Sequence, residues 1–112
     1  MIINAEEKVC VIERRHFVED PIRFFTGQVL AASENALRII GYVWIADIMK
    51  GVTRKPDVME RIIYPNERTN INIIPKDVII EELKIILIPG KGLCVTDGKN
   101  YNLDISEFGV SK

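Results

Sequence analysis

Arg14, Arg15 and His16 stand side by side in Glu13-Arg14-Arg15-His16-Phe17, and His16 is the sole histidine of the chain. Two guanidiniums beside an imidazole can grip a phosphate through charge-assisted hydrogen bonds, or set one general base next to two cations. A strand end explains the same triplet without chemistry, and no serine or cysteine adjoins it to act as a nucleophile. A second cationic group, Lys50, Arg54 and Lys55, lies around Gly51 and ahead of Pro56. It offers phosphate contacts with the steep salt dependence of counterion release, or simply a solvated loop. Tyr42 and Trp44 would stack nucleobases if exposed, but in so apolar a run they are expected in a core or a subunit interface.

Other chemistry is poorly provided for. Asp97, Gly98 and Asn100 bring oxygen ligands together in "TDGKN", yet the roughly 12-residue calcium loop and its closing glutamate are missing. The chain contains no glycine-rich phosphate loop, no HExxH and no GxSxG. Cys10 and Cys94 each sit inside a strand-like run without a partner at metal-ligand spacing, so they are expected to be buried thiols in a reducing compartment. The expectation is a protein with no catalytic site, no metal and no cofactor.

The elements that must position these residues are mostly strands. The 112 residues include 19 isoleucines and 10 valines, and β-branched side chains pack best on a pleated surface. Such a length suits one domain with no need of disulfides, so residues 1–112 are expected to form a single β-domain. A net charge of −1 provides no global field for nucleic acid or for anionic lipid. No run reaches the roughly 18 apolar residues of a membrane span, and "MIINAEEKVC" has no secretory pattern, so the expected location is the cytoplasm, away from membranes.

"KVCVIERRHF" reads as a strand with Val9 and Val11 on one face and Cys10 and Ile12 on the other, closed by Pro21. Phe24 to Asp47 then reads as a long hairpin around Ser33-Glu34-Asn35. A symmetric turn about Glu34 sets Gly27 against Gly41, Phe25 against Val43, Val29 against Ile39 and Ala31 against Leu37. A crossing without side chains lets a sheet bend sharply. "IMKGVTRKPDVME" is expected to be a loop, and "RIIYP" with "NINIIP" a second hairpin about "NERTN". Val78 to Ile88 is open between strand and helix, with strand favoured and a helical turn near Glu81. Asp97-Gly98 marks a last hairpin whose second arm alternates Tyr101, Leu103 and Ile105 with Asn102, Asp104 and Ser106. Five or more antiparallel strands with little helix predict a small, strongly bent barrel.

The stretch "RFFTGQVLAASENALRIIGYVWIAD", followed by "ERIIYPNERTNINIIP", resembles the bent hairpin core and later short strands of the Sm-like (LSm-like) proteins. The resemblance covers roughly Arg23 to Pro75. It implies a ring in which an edge strand of one subunit pairs with the next, and single-stranded RNA bound by loop residues. The residues placed to serve are Asn35, Arg68 and Asn70, with Lys50, Arg54 and Lys55 as supporting cations and Arg14, Arg15 and His16 as a phosphate grip. The Arg-Gly pair of the RNA-binding members is absent here. The residues therefore leave two readings: a ring that binds RNA, and a homo-oligomeric scaffold or protein-interaction module with no nucleic-acid ligand.

Overall fold

The computed structural model describes residues 2–14, 21–47 and 51–108. Nine strands follow one another there: β1 (Lys8–Glu13), β2 (Ile22–Ala32), β3 (Leu37–Asp47), β4 (Gly51–Arg54), β5 (Met59–Ile63), β6 (Thr69–Ile74), β7 (Lys84–Ile88), β8 (Gly92–Thr96) and β9 (Asn102–Asp104). Short 3₁₀ turns occupy Ile80–Glu82 and Ser106–Phe108. The larger sheet runs β4-β3-β2-β1-β6, and β5 shares the β4 edge of β3: β4 pairs with Trp44 to Asp47, β5 with Leu37 to Gly41. β7, β8 and β9 make a separate three-stranded sheet. Every pairing is antiparallel.

Both faces of the larger sheet are covered, which explains why its central strands are apolar on both sides. One face presents Val9, Val11, Phe25, Val29, Leu37, Ile39 and Val43, which pack with Met59 and Ile63 of β5 and Ile71 of β6. The sheet curls around this face, so its own edge strands help to fill the concavity. The outer face presents Cys10, Ile12, Ile22, Phe24, Trp44 and Ala46 to Val78, Ile80, Leu83, Ile85, Leu93, Val95 and Ile105 of the smaller sheet and its approach. Opposite parity in β1 thus sends Val9 and Val11 to one core and Cys10 and Ile12 to the other, as the alternation predicts.

The expected hairpin register holds through its middle. Phe25 faces Val43, Gly27 faces Gly41 and Val29 faces Ile39. Beyond Val29 the register shifts by one, so Ala31 meets Arg38 and Ala32 meets Leu37. This corrects the expected Ala31–Leu37 pair: Leu30 is the extra residue of a bulge, 45% exposed, and Leu37 stays buried.

Two further expectations change. The segment after Asp47 was expected to be loop throughout, but Gly51–Arg54 continues the β3 edge as β4, entered through Gly51 at φ +80°. β5 and β6 do not form a hairpin: β5 pairs with β3 and β6 with β1, so residues 64–68 bridge opposite edges of the curled sheet. Local turn chemistry signalled a reversal but not which neighbour each arm would find. The chain is mostly antiparallel β with little helix, as expected, arranged as a curled six-stranded sheet with a three-stranded sheet packed on its outside; no closed barrel is detected among the described residues. Val78 to Ile88 divides as the two signals suggest, into a 3₁₀ turn at Ile80–Glu82 and a strand from Lys84.

Candidate functional site

The residues singled out from sequence fall at separate places. Asn35 is exposed at the β2–β3 tip, where the Ser33 hydroxyl accepts the backbone N–H of Asn35 (3.4 Å) and of Ala36 (3.2 Å). Arg68 lies at the other end of β1 in the register: its carbonyl accepts the Arg14 N–H at 2.9 Å and its own N–H donates to Asn66 Oδ1 at 2.8 Å. Asn70 Oδ1 accepts the side-chain amide of Asn72 at 2.8 Å. Arg54 lies on β4 and Lys55 just after it, with the Lys55 N–H donating to the Val43 carbonyl at 2.9 Å. Asn70 and Arg54 occupy one cross-strand row, Asn70–Ile12–Phe24–Trp44–Arg54, at its two ends. Four strand spacings put them about 19 Å apart along the sheet. Arg14 donates from Nη2 to the Glu67 carbonyl at 3.2 Å, a bond that ties the 64–68 link to β1. Arg15, His16 and Lys50 lie outside the described residues.

The aromatic pair is occupied from within. Trp44 is buried, and its Nε1–H donates to Thr26 Oγ1 at 2.9 Å. The Arg54 guanidinium lies 4.3 Å from the Tyr42 ring centroid and 5.9 Å from that of Trp44, a cation–π contact. Arg54 thus has an intramolecular role that its place in a basic cluster did not suggest.

Sequence reasoning missed a cleft of about 320 Å³ at the mouth of the concave face. Its floor is Val11, Phe25 and Val43, and one wall is Arg61, Ile62 and Ile63 of β5 with Tyr64 just beyond it. Glu13 and Arg23, opposite one another across β1 and β2, stand at the rim. Arg61 pairs with Ile39, whose side chain belongs to the concave core, so pleat parity turns Arg61 to the same side. The one available signal was in "MERII", where Arg61 interrupts the apolar set Met59 and Ile63.

The titratable groups with displaced affinities serve the fold. Burial pushes the Cys10 thiol up to about 12, and the two free thiols, Cys10 and Cys94, are both buried as expected. Asp97 is held below the usual carboxylate range by the backbone N–H groups of Lys99 (2.8 Å) and Tyr101 (3.0 Å), which its Oδ1 accepts in closing the β8–β9 hairpin. Asp104 is lowered by hydrogen bonds from Ser106, and Lys99 is raised by its 2.8 Å bond to Glu82. Among the described residues no group of three or more His, Cys, Asp or Glu side chains is placed to hold a metal ion. No helix there is long and apolar enough to cross a membrane.

Comparison with protein-family models, with curated proteins and with solved structures returns no match to this chain.

Proposed function

We propose that this chain is an Sm-like strand-edge assembly module, in which β5 of one subunit pairs with β6 of the next to build a homo-oligomer. The observation that carries this reading is the pair of open edges: β5 has β3 on one side and β6 has β1 on one side, and among the described residues neither has a strand on the other. An open edge presents a row of backbone donors and acceptors that pairing with another chain would satisfy. Apolar side chains lie exposed along both strands, with Ile62 at 52% and Ile73 at 50%, and Tyr64 just beyond β5 at 68%. Pairing unlike edges is a head-to-tail contact, which makes a ring when the rotation per subunit closes and a filament when it does not.

The spread of Asn35, Arg54 and Asn70 over the hairpin tip and the two sheet edges favours the scaffold over the RNA reading, since no single groove collects them. The test is the native mass of the untagged protein with its 260/280 nm absorbance ratio recorded on the same peak. The expected result is a discrete multiple of 12.8 kDa free of nucleic acid. A monodisperse monomer overturns assembly, and a multimer carrying nucleic acid replaces the scaffold with the RNA-binding ring.

A further inference from the structure

We propose that the cleft at the mouth of the concave face is a binding site for a small amphipathic carboxylate, its apolar body on Val11, Phe25, Val43 and Ile63 and its carboxylate on Arg61. The floor sets the first requirement. Val11, Phe25 and Val43 are each less than 10% exposed, yet all three line the cleft, so a ligand's body there would meet hydrocarbon on β1, β2 and β3 together. A volume of about 320 Å³ is at the lower end for small-molecule pockets, which suits a body of about eight carbons with its head group. Cavities of this size with an apolar lining and a few placed polar groups are the usual form of small-molecule sites.

The rim sets the sign of the head group. It carries two guanidiniums, Arg23 and Arg61, against one carboxylate, Glu13. Glu13 stands directly opposite Arg23 in the β1–β2 register, so these two charges offset one another. Arg61 is bonded from Nη2 to the thioether sulfur of Met59 at 3.3 Å. A thioether is a weak acceptor and carries no charge, so one positive charge at the mouth lacks a counterpart among the described residues. A planar monoanion matches that guanidinium by two parallel hydrogen bonds, and a carboxylate supplies it without bringing a second negative charge against the apolar floor. Exposed Tyr64, whose side chain ends in a hydroxyl donor, also lines the cleft.

Octanoate is the probe and 1-octanol its neutral counterpart, each titrated below its aggregation limit into the full chain with isotope-labelled Val and Ile methyl groups. The expected result is saturable shifts at Val11, Val43 and Ile63, with octanoate binding at least about tenfold more tightly than octanol, the difference one charge-assisted hydrogen bond makes. Arg61→Gln should bring octanoate to within about threefold of octanol and leave octanol unchanged, because it removes the charge and the guanidinium fork that pairs with a carboxylate while the apolar floor stays intact. Arg61 is exposed, and the comparison of the two probes on the unaltered chain stands whether or not the variant folds. Equal affinities for the two probes, shifts that never saturate, or shifts centred on the separate exposed group Ile40, Val58 and Ile79 would each overturn the assignment. The probes report on the cleft and the native mass reports on assembly, so failure of either measurement leaves the other proposal standing.

Discussion

Gly27 and Gly41 face one another across β2 and β3 so closely that a Cβ on Gly41 would lie 2.5 Å from the Gly27 Cα and 2.0 Å from the Thr26 carbonyl oxygen. A Cβ on Gly27 would meet the Ile40 carbonyl oxygen at 2.3 Å. In each case the obstacle is backbone of the paired strand, which cannot swing aside as a side-chain tip can. The crossing lets the hairpin coil tightly enough for Met59 and Ile63 of β5 to pack into the concave core. Gly41→Ala should therefore cost about 3 kcal/mol or more by chemical denaturation, at the upper end of overpacking effects. Gly27→Ala should do the same, and the double variant should cost less than the sum, because both relieve the strain by the same opening of the hairpin. A loss under 1 kcal/mol for Gly41→Ala would mean that the crossing is not needed for the bend.

That register was legible because the hairpin is local: a polar turn at Ser33 to Asn35 and alternating large side chains fix pairing over neighbouring sequence. Its end was not, because the bulge at Leu30 depends on Leu37 reaching the concave core, a tertiary demand. The closing hairpin at Asp97-Gly98 was equally readable, with Gly98 at φ +77° and Tyr101 and Leu103 half-buried as their alternation predicts. β5 and β6 were read as strands but given the wrong partners, since a short polar link looks the same whether it reverses a hairpin or spans two sheet edges. The same nonlocality hid the cleft: Val11, Val43 and Arg61 come from three strands that only the curl brings together. Of the candidate residues, Arg54 was found for its charge, and its contact with Tyr42 needed the β3–β4 pairing to be seen.

Thr26 is fully buried, and its hydroxyl is the acceptor for Trp44 Nε1–H. Thr26→Val keeps the volume and removes the acceptor, which leaves a buried indole donor without a partner at a cost of about 1–3 kcal/mol. Thr26→Ser restores the oxygen, so it should recover much of the loss and forfeit only the methyl packing. Urea midpoints of the three proteins, followed by the fluorescence of the single tryptophan, give the ranking. If Val and Ser variants are equally destabilised, the methyl group and not the hydrogen bond is what the site requires.

Cys10 makes stability fall in alkali. Burial raises its thiol from 9.0 to about 12 in the folded chain, so between these values the unfolded chain has lost a proton that the folded chain still holds. Stability from this group is therefore complete below about pH 9 and declines as pH rises toward about 12, by at most about 1.4 kcal/mol per pH unit. Tyr101, also raised by burial, acts in the same direction at higher pH. Cys10→Ala should be less stable at pH 7 because of the cavity, yet should show a shallower decline from pH 8.5 to 10.5. Parallel slopes for the two proteins would assign the alkaline loss to other groups.

Ile62 on β5 and Ile73 on β6 lie on opposite edges of the larger sheet, so a head-to-tail assembly uses both and an assembly of like edges uses one. A lysine at an edge strand is a common natural guard against strand addition, and at half-exposed positions it is tolerated by the fold. Ile62→Lys and Ile73→Lys should each reduce the native mass to that of a monomer, with thermal midpoints within a few degrees of one another. The mixing experiment is more demanding. In a head-to-tail contact an Ile62→Lys chain retains an intact β6 edge and an Ile73→Lys chain an intact β5 edge, so an equimolar mixture should form dimers and stop there. Contacts between like edges predict a different pattern: one single variant retains its full mass, because the edge it alters is not used. Native mass spectrometry of the two variants and their mixture separates these outcomes, and undiminished mass in both variants would place the subunit contact away from β5 and β6 altogether.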